Sequence, residues 1–514
     1  QIWAISSLFL LPYLIFLGGL PGFKRVFWDS VFFIGLTAIQ WIPTRELVQS
    51  SLRWDDPGTF LTTPSAVAGW HTCWFFFVPY PGGGRTPSED AAYIGGMAFA
   101  LVVAGLFLRR NSLERLEKFL IALLLLDLIF SLGPGFSLNF WQKMLYPFSH
   151  FLHPARFLVM FSFFLITLAG ISLNKLKWDR NFPLMIAFLI TATGELLWWN
   201  WGYAFTTGRE YFREKPEFVR LLGEETKNPL YRVEYLVPPL RYAPYFTEEA
   251  GKILPTPVSH TFVSMQYQIP FAGVIGHGPF LLKTQEILAK PQMWSENFKD
   301  FLNIRWIIRD KRYSYKVPYP DVELEKEGEY YEIYRNPGAL PRIFLARRYE
   351  KVESKAKKRM KEQAERGEIS WKEWKSLESK FPFSEFRVKK WKPVESVLTE
   401  ENPPEGWERE DNLPTGEVKI LSLKPGEIVV EVDAPAPRVL VVVENFYPGW
   451  EAWVDGKKES IHMGNGFART VPVPSGKHRV VMRYVPKIFF LGGVVSLLSL
   501  LLFSYRIVQE SRGK

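Results

Sequence analysis

The chain has 514 residues, 47 % of them hydrophobic and 16 % aromatic, with a formal net charge of +10. Its single cysteine, Cys73, excludes an intrachain disulfide framework and any multi-cysteine metal site. The Lys and Arg excess flanks apolar runs, so it reads as an orientation signal and a headgroup contact, and no nucleic-acid partner is expected.

In chain order, apolar runs near the 20-residue length that crosses a bilayer as a helix lie near 2–20, 27–43, 91–108, 116–133, 155–173, 183–200 and 487–505. They predict a polytopic α-helical membrane protein with about seven spans visible. A large extracytoplasmic mixed α/β domain ending in a β-sandwich completes the predicted fold. The expected division is a transmembrane domain over 1–200 and a mixed domain over 201–414, with a charged helical insertion near 349–379. A sandwich follows over 415–486, then a last span with its cytoplasmic tail over 487–514. Lys24 and Arg25, the group Arg109, Arg110, Arg115 and Lys118, the group Lys175, Lys177 and Arg180, and the tail with Arg506, Arg512 and Lys514 mark cytoplasmic connections. That assignment puts 201–486 outside. The chain opens at Gln1 on an apolar segment without a signal-peptide pattern, so it reads as the C-terminal part of something longer, lacking N-terminal spans.

Several polar side chains lie where such a topology makes them costly or useful. Arg45, Glu46, Arg53, Asp55 and Asp56 lie in or beside the external loop after the second apolar run. The pair Asp55–Asp56 suits a divalent cation or a general base, against the plainer reading of a solvated loop. "PYPGGGRTP" (79–87) follows no strand and lacks the Lys-Ser/Thr of a phosphate-binding loop, so a mobile external loop is expected. Asp127 interrupts the fourth run and should face the protein interior. His150, His153 and Arg156 stand at the mouth of the fifth, on the external side. Glu195 accompanies "LLWWNW", read as an interfacial aromatic belt.

Farther on, "YRVEYLVPP", "FLNIRWIIRD" and "EYYEIYRNPGALPRIFLARRYE" are dense in strand-forming residues. From residue 415 short strands alternate with Gly/Pro turns, and Asp455–Gly456 suits a two-residue hairpin. Tyr447, Trp450 and Trp453 are expected mainly as core, with sugar stacking as the alternative.

The stretch "ENFYPGWEAWVDGKKESIHMGNGFARTVPVPSGKHRVVMRYVP" and the apolar run after it resemble the C-terminus of the bacterial membrane protein YfhO family. "HPARFLVMFSFFLITLAGISL", "FLNIRWII", "YRNPGALPRIFLA", "IQWIPTRELVQSSLR" and "AAYIGGMAFALVVAGL" are similar to it in the same order. The resemblance implies a glycosyltransferase of GT-C type. Such an enzyme takes a sugar from a polyprenyl-phosphate donor and passes it to an extracytoplasmic glycan or cell-envelope polymer. It also implies a catalytic carboxylate in the first external loop, upstream of Gln1, which leaves Glu46, Asp55 and Asp56 as weak catalytic candidates. With such a donor, Arg156, then Arg45, His150 and His153 become the expected phosphate contacts, since a guanidinium grips phosphate through paired hydrogen bonds. Two rivals stay open: a membrane-anchored carbohydrate-binding or envelope-assembly protein, and a lipid-linked sugar transporter.

Overall fold

A computed structural model describes residues 27–49, 96–108, 111–132, 158–175, 182–201, 215–224, 228, 230–236, 246–249, 252–255, 296–312, 316–317, 319–352, 362–366, 368 and 391–512. It divides into two units, Gln1–Thr206 with Gly492–Lys514, and Thr207–Leu491.

The first unit is helical. After the helical stretch Phe27–Leu36 come α1 (Ala38–Gln49), α2 (Gly96–Leu108), α3 (Arg115–Leu132), α4 (Leu158–Lys175) and α5 (Phe182–Trp201). Helix α4 packs on α2 and α3 through Phe164, Leu165 and Leu168, with Val102, Leu120 and Leu123 also buried. Polar side chains close the helix ends. Glu195 accepts the backbone N–H of Gly96 (2.8 Å) and Met97 (3.2 Å) on α2. Lys175 bridges Glu114 (2.6 Å) and the buried Glu117 (3.2 Å). Asp127 is fully buried, on the interior face its position in an apolar run requires.

The second unit is a stack of sheets. A four-stranded sheet is ordered β1 (Arg232–Tyr235), β4 (Ile304–Asp310), β6 (Tyr331–Arg335), β5 (Glu323–Glu327), with β1 parallel to β4 and the other pairs antiparallel. Short pairs form between β2 (Phe246–Glu249) and β3 (Lys252–Pro255), and between β8 (Arg348–Lys351) and β9 (Ser396–Thr399). The middle sheet runs β15 (His462–Gly464), β16 (Ala468–Val473), β12 (Arg438–Asn445), β7 (Ile343–Ala346). The last runs β10 (Glu417–Lys424), β11 (Glu427–Ala434), β17 (Gly476–Tyr484), β13 (Trp450–Val454), β14 (Lys457–Glu459).

Sequence alternation explains the layering. In β12, Val439, Val441 and Val443 enter one core while Leu440 and Val442 enter another, so a continuous run of Val and Leu marks a strand covered on both faces. Strand β7 divides in the same way, with Phe344 and Ala346 on one side and Ile343 and Leu345 on the other. The core between the middle and last sheets joins these to Val430 and Val432 of β11, Val471 of β16 and Val480 of β17. On its opposite face the middle sheet meets Phe298 and Phe301 of helix α7 (Glu296–Phe301), Trp391, and Ile304 and Ile307 of β4. The far side of β4 offers Trp306 and Ile308 to Phe218 and Leu222 of helix α6 (Glu217–Leu222). The Asp455–Gly456 hairpin forms between Val454 and Lys457, with φ of 51° and 81°, the positive values a two-residue turn of this kind demands.

Strand β17 ends at Tyr484, and three residues later helix α8 (Lys487–Arg512) begins. Its apolar side chains, among them Phe490, Leu497, Leu501 and Leu502, stay exposed, which suits hydrocarbon and not water. Within the first unit its small residues meet the N-terminal helices. A Cβ at Gly492 would lie 2.7 Å from the Ala38 carbonyl oxygen, and Ser496 accepts the Ile39 N–H (2.9 Å) and donates to the Gly35 carbonyl (3.2 Å). Backbones approach this closely only over small residues.

The seven-span helical fold expected from hydropathy is corrected here. Among the described residues one helix, over Lys487–Gln509, is long and apolar enough to cross a membrane. Elsewhere among the described residues the apolar helical stretches are shorter: Phe27–Leu36, Met160–Lys175 within α4 and Ile186–Glu195 within α5. Helix α3 has the length but carries Arg115, Glu117, Lys118 and Asp127. Hydropathy windows average over a stretch and so pass over single charges such as these. The first expected run, 2–20, lies outside the described residues. Of the region near 349–379 the described residues are the end of strand β8 with Val352, a helical turn at 362–365 with Arg366, and Glu368.

Candidate functional site

Of the residues singled out in the sequence, Arg45 and Glu46 are described. Both lie on α1, Arg45 exposed and Glu46 half-buried. Asp55, Asp56, His150, His153, Arg156 and the 79–87 loop lie outside the described residues. Among the described residues no three His, Cys, Asp or Glu side chains converge as a metal site.

A polar seam that sequence reading missed runs through the second unit, starting on β1. Val233 and Tyr235 point into the core shared with α6, so Arg232 and Glu234 share the opposite face, about 7 Å apart along the strand. Tyr319 donates its hydroxyl to the Glu234 carboxylate, at 3.0 and 3.2 Å from its two oxygens. Burial raises the Glu234 carboxyl to about 7, against the lowering by the Tyr319 hydrogen bond and the Lys299 charge. A carboxyl that titrates near neutrality can both accept and return a proton under ordinary conditions. Lys299, almost wholly buried on α7, lies 5.8 Å from the Tyr319 ring and pairs with Asp321 (2.6 Å) and Asp300 (3.1 Å).

Asn303, at positive φ where α7 gives way to β4, links this group to a basic centre. Its side-chain oxygen accepts from Arg232 Nη1 (3.1 Å), while its amide donates to the carbonyls of Phe301 and Leu340. Arg232 also donates to the Val443 carbonyl (2.9 Å) and reaches Glu444 (3.4 Å). Arg342, just ahead of β7, pairs with the same carboxylate, and Arg469 of β16 lies 3.9 Å from its other oxygen. Three guanidinium groups thus surround one carboxylate. Each is pulled down to about 10 by burial, and Arg342 further by the charges of Arg232 and Arg469. All three still carry full charge at neutral pH.

Arg469 is the most enclosed, with its side chain 4 % exposed, while those of Arg342 and Glu444 are each 25 % exposed. Its guanidinium lies 3.7 Å above the Trp450 ring, and Nε and Nη1 have no hydrogen-bond partner among the described residues. Trp450 packs against Tyr484 (5.8 Å between centroids), which also meets Tyr447 (6.2 Å). Tyr484 closes β17 three residues before Lys487, so the basic centre lies beside the start of α8. Lys487 is tied back to the sheet by Glu451 (3.0 Å). Trp450, Tyr447 and Trp453 are half-buried, neither full core nor free surface.

Residues 410–496 match the family described as bacterial membrane protein YfhO. The match covers β10 to β17 and the opening turns of α8, about a sixth of the chain, and includes Glu444, Trp450 and Arg469. It agrees with the resemblance read in the sequence and supports a membrane location. Glu234, Arg232 and Arg342 lie outside the YfhO match. No curated protein and no solved structure matches the chain.

Sequence reasoning passed over these residues for a physical reason. Arg232, Arg342, Glu444 and Arg469 are up to 237 positions apart, and each stands in a strand or turn where a lone charge reads as solvent-facing. The one local signal was "RVEY", where Arg232 and Glu234 alternate with Val233 and Tyr235 and so share one face of a strand.

Proposed function

We propose that the protein is a membrane-anchored glycosyltransferase that moves a sugar from a polyprenyl-phosphate donor to an extracytoplasmic glycan or cell-envelope polymer. The observation that carries this reading is Glu234, a carboxyl raised to about 7 and held by Tyr319, two residues along one strand from a cluster of arginines. Ionised Glu234 takes the proton from the acceptor hydroxyl as that oxygen attacks the anomeric carbon. The bond from that carbon to the carrier phosphate breaks, and the electron pair leaves with the phosphate. Arg232, the cation closest along the strand, stabilises the charge that develops there. The YfhO match and the exposed apolar surface of α8 support action at a membrane. The excess of Lys and Arg in the C-terminal tail supports placing that tail in the cytoplasm and the sheets outside.

The test is release of labelled sugar from a polyprenyl-phosphate donor by the full chain in detergent. Glu234→Gln is expected to lower kcat by roughly 100-fold or more with KM little changed. Equal transfer by that variant, or no transfer by the wild type, overturns the reading.

A second reading rests on the half-buried aromatics Tyr447, Trp450 and Tyr484, which suit stacking on sugar rings in a non-enzymatic envelope protein. It predicts glycan retention that Trp450→Ala abolishes, with no sugar released from any donor.

A further inference from the structure

We propose that Arg232, Arg342 and Arg469 form a binding site for a phosphate monoester or diester, with Glu444 occupying the anion's place when the site is empty. Charge is the first argument. Three guanidinium groups gather around one carboxylate in a largely enclosed place. A surround of one sign with little water in it favours a ligand of the opposite sign.

Hydrogen bonding is the second argument, and it is independent of the first. Arg469 is nine-tenths buried and more, yet Nε and Nη1 make no hydrogen bond among the described residues. A guanidinium is a fork of five donors, and a buried donor without a partner points to a water or an ion. Trp450 covers one face of the group, which fixes its plane and leaves its edge as the side on which an acceptor can bind. A tetrahedral phosphate presents several oxygens and can take paired hydrogen bonds from more than one such edge.

Access and location narrow the ligand. Arg342 and Glu444 are a quarter exposed and form the open rim, with Arg469 as the floor. The floor contacts Trp450, Trp450 contacts Tyr484, and Tyr484 lies three residues from the lysine that opens α8. Lysine at the end of an apolar helix sits at the level of lipid headgroups. The site therefore reaches phosphate held at a membrane surface as well as phosphate in solution. This assignment rests on the transfer reading only in naming the donor as the source of the phosphate. Binding is measured without turnover, so either can fail alone.

The experiment follows Trp450 fluorescence, assigned by its loss in Trp450→Phe, on the full chain in a maltoside detergent free of phosphate. Inorganic phosphate is titrated in one arm and short-chain phosphatidylglycerol in the other. Saturable binding in the first arm assigns free phosphate, and binding confined to the second assigns a lipid headgroup; either supports the site. Arg469→Gln and Arg342→Gln are each expected to weaken binding at least tenfold. Glu444→Gln keeps the shape, removes the competing anion and is expected to bind at least threefold more tightly, an outcome that misfolding cannot mimic. No saturable binding in either arm, unchanged affinity in both arginine variants, or weaker binding by Glu444→Gln overturns the proposal.

Discussion

Glu234 offers a test in which activity and stability move in opposite directions. Below about pH 4.5 its carboxyl is protonated in the folded and the unfolded chain alike, and its burial adds no ionic cost. Between pH 4.5 and about 7 the unfolded chain ionises while the folded chain keeps its proton. The folded state then binds more protons, so each step upward in pH favours unfolding, and above about 7 the penalty is complete. Moving a carboxyl from 4.5 to about 7 corresponds to about 3 kcal/mol. Water reaches part of this strand position, so roughly half of that, about 1.5 kcal/mol, is the expected effect. Glu234→Gln removes the ionisation and should be the more stable protein above pH 7, while losing transfer. With a urea m of about 3 kcal/mol/M, its midpoint should lie about 0.5 M higher at pH 8 and coincide with wild type near pH 4.5. Urea unfolding of the full chain in detergent, followed by tryptophan fluorescence between pH 4.5 and 8.5, measures this directly. Tyr319→Phe should carry the wild-type decline to higher pH, because it removes the hydrogen bond that favours the ionised form. Parallel profiles for wild type and Glu234→Gln would refute the argument that this carboxyl is held protonated by its surroundings.

Three further outcomes test other parts of the structure. Asp411→Ala should destabilise the stacked sheets by about 3 kcal/mol, because it strands Arg438, which is fully buried and held by both carboxylate oxygens at 2.7 and 2.8 Å. Adding Arg438→Met should recover part of that loss, and a strictly additive double mutant would count against the pairing. Gly492→Leu should break the packing of α8 on Ala38 and Ile39, read as loss of a crosslink between cysteines placed at Ile39 and Ser496, with total expression unchanged. The His478 imidazole, 2.7 Å from Asp455, should titrate above 6.5 by NMR, chiefly because of that hydrogen bond, and Asp455→Asn should bring it down. The favourable pairing is complete below about pH 6.5 and is lost as pH rises through the folded value.

The parts of this structure that were legible in the sequence are those set by neighbours along the chain. "NIRWIIRD" and "RVLVVVEN" announce strands because their side chains alone demand cover on two faces, and Asp455–Gly456 announces a turn because of backbone sterics. The charged groups behave differently. Glu234 depends on a tyrosine 85 residues away, and Arg469 on a carboxylate in a neighbouring strand and an aromatic ring from the opposite sheet. Burial of such groups is a property of the assembled layers and leaves no periodic trace. The apolar helices misled in the reverse sense, since a window averages over single charges such as Lys118 and Asp127 of α3 and reads greasy composition as a span.

The middle sheet has a consequence for anyone who would dissect this protein. Residues 410–496 contain β12 but not β7, which hydrogen-bonds along one side of it, nor Phe298, Phe301 and Trp391, which cover one of its faces. A fragment trimmed to that boundary would bare an unpaired valine-rich margin together with a dry, sticky flank, the two ingredients of strand-to-strand polymerisation. The stretch that sequence comparison singles out is therefore a recognisable piece of the protein and not a self-sufficient one.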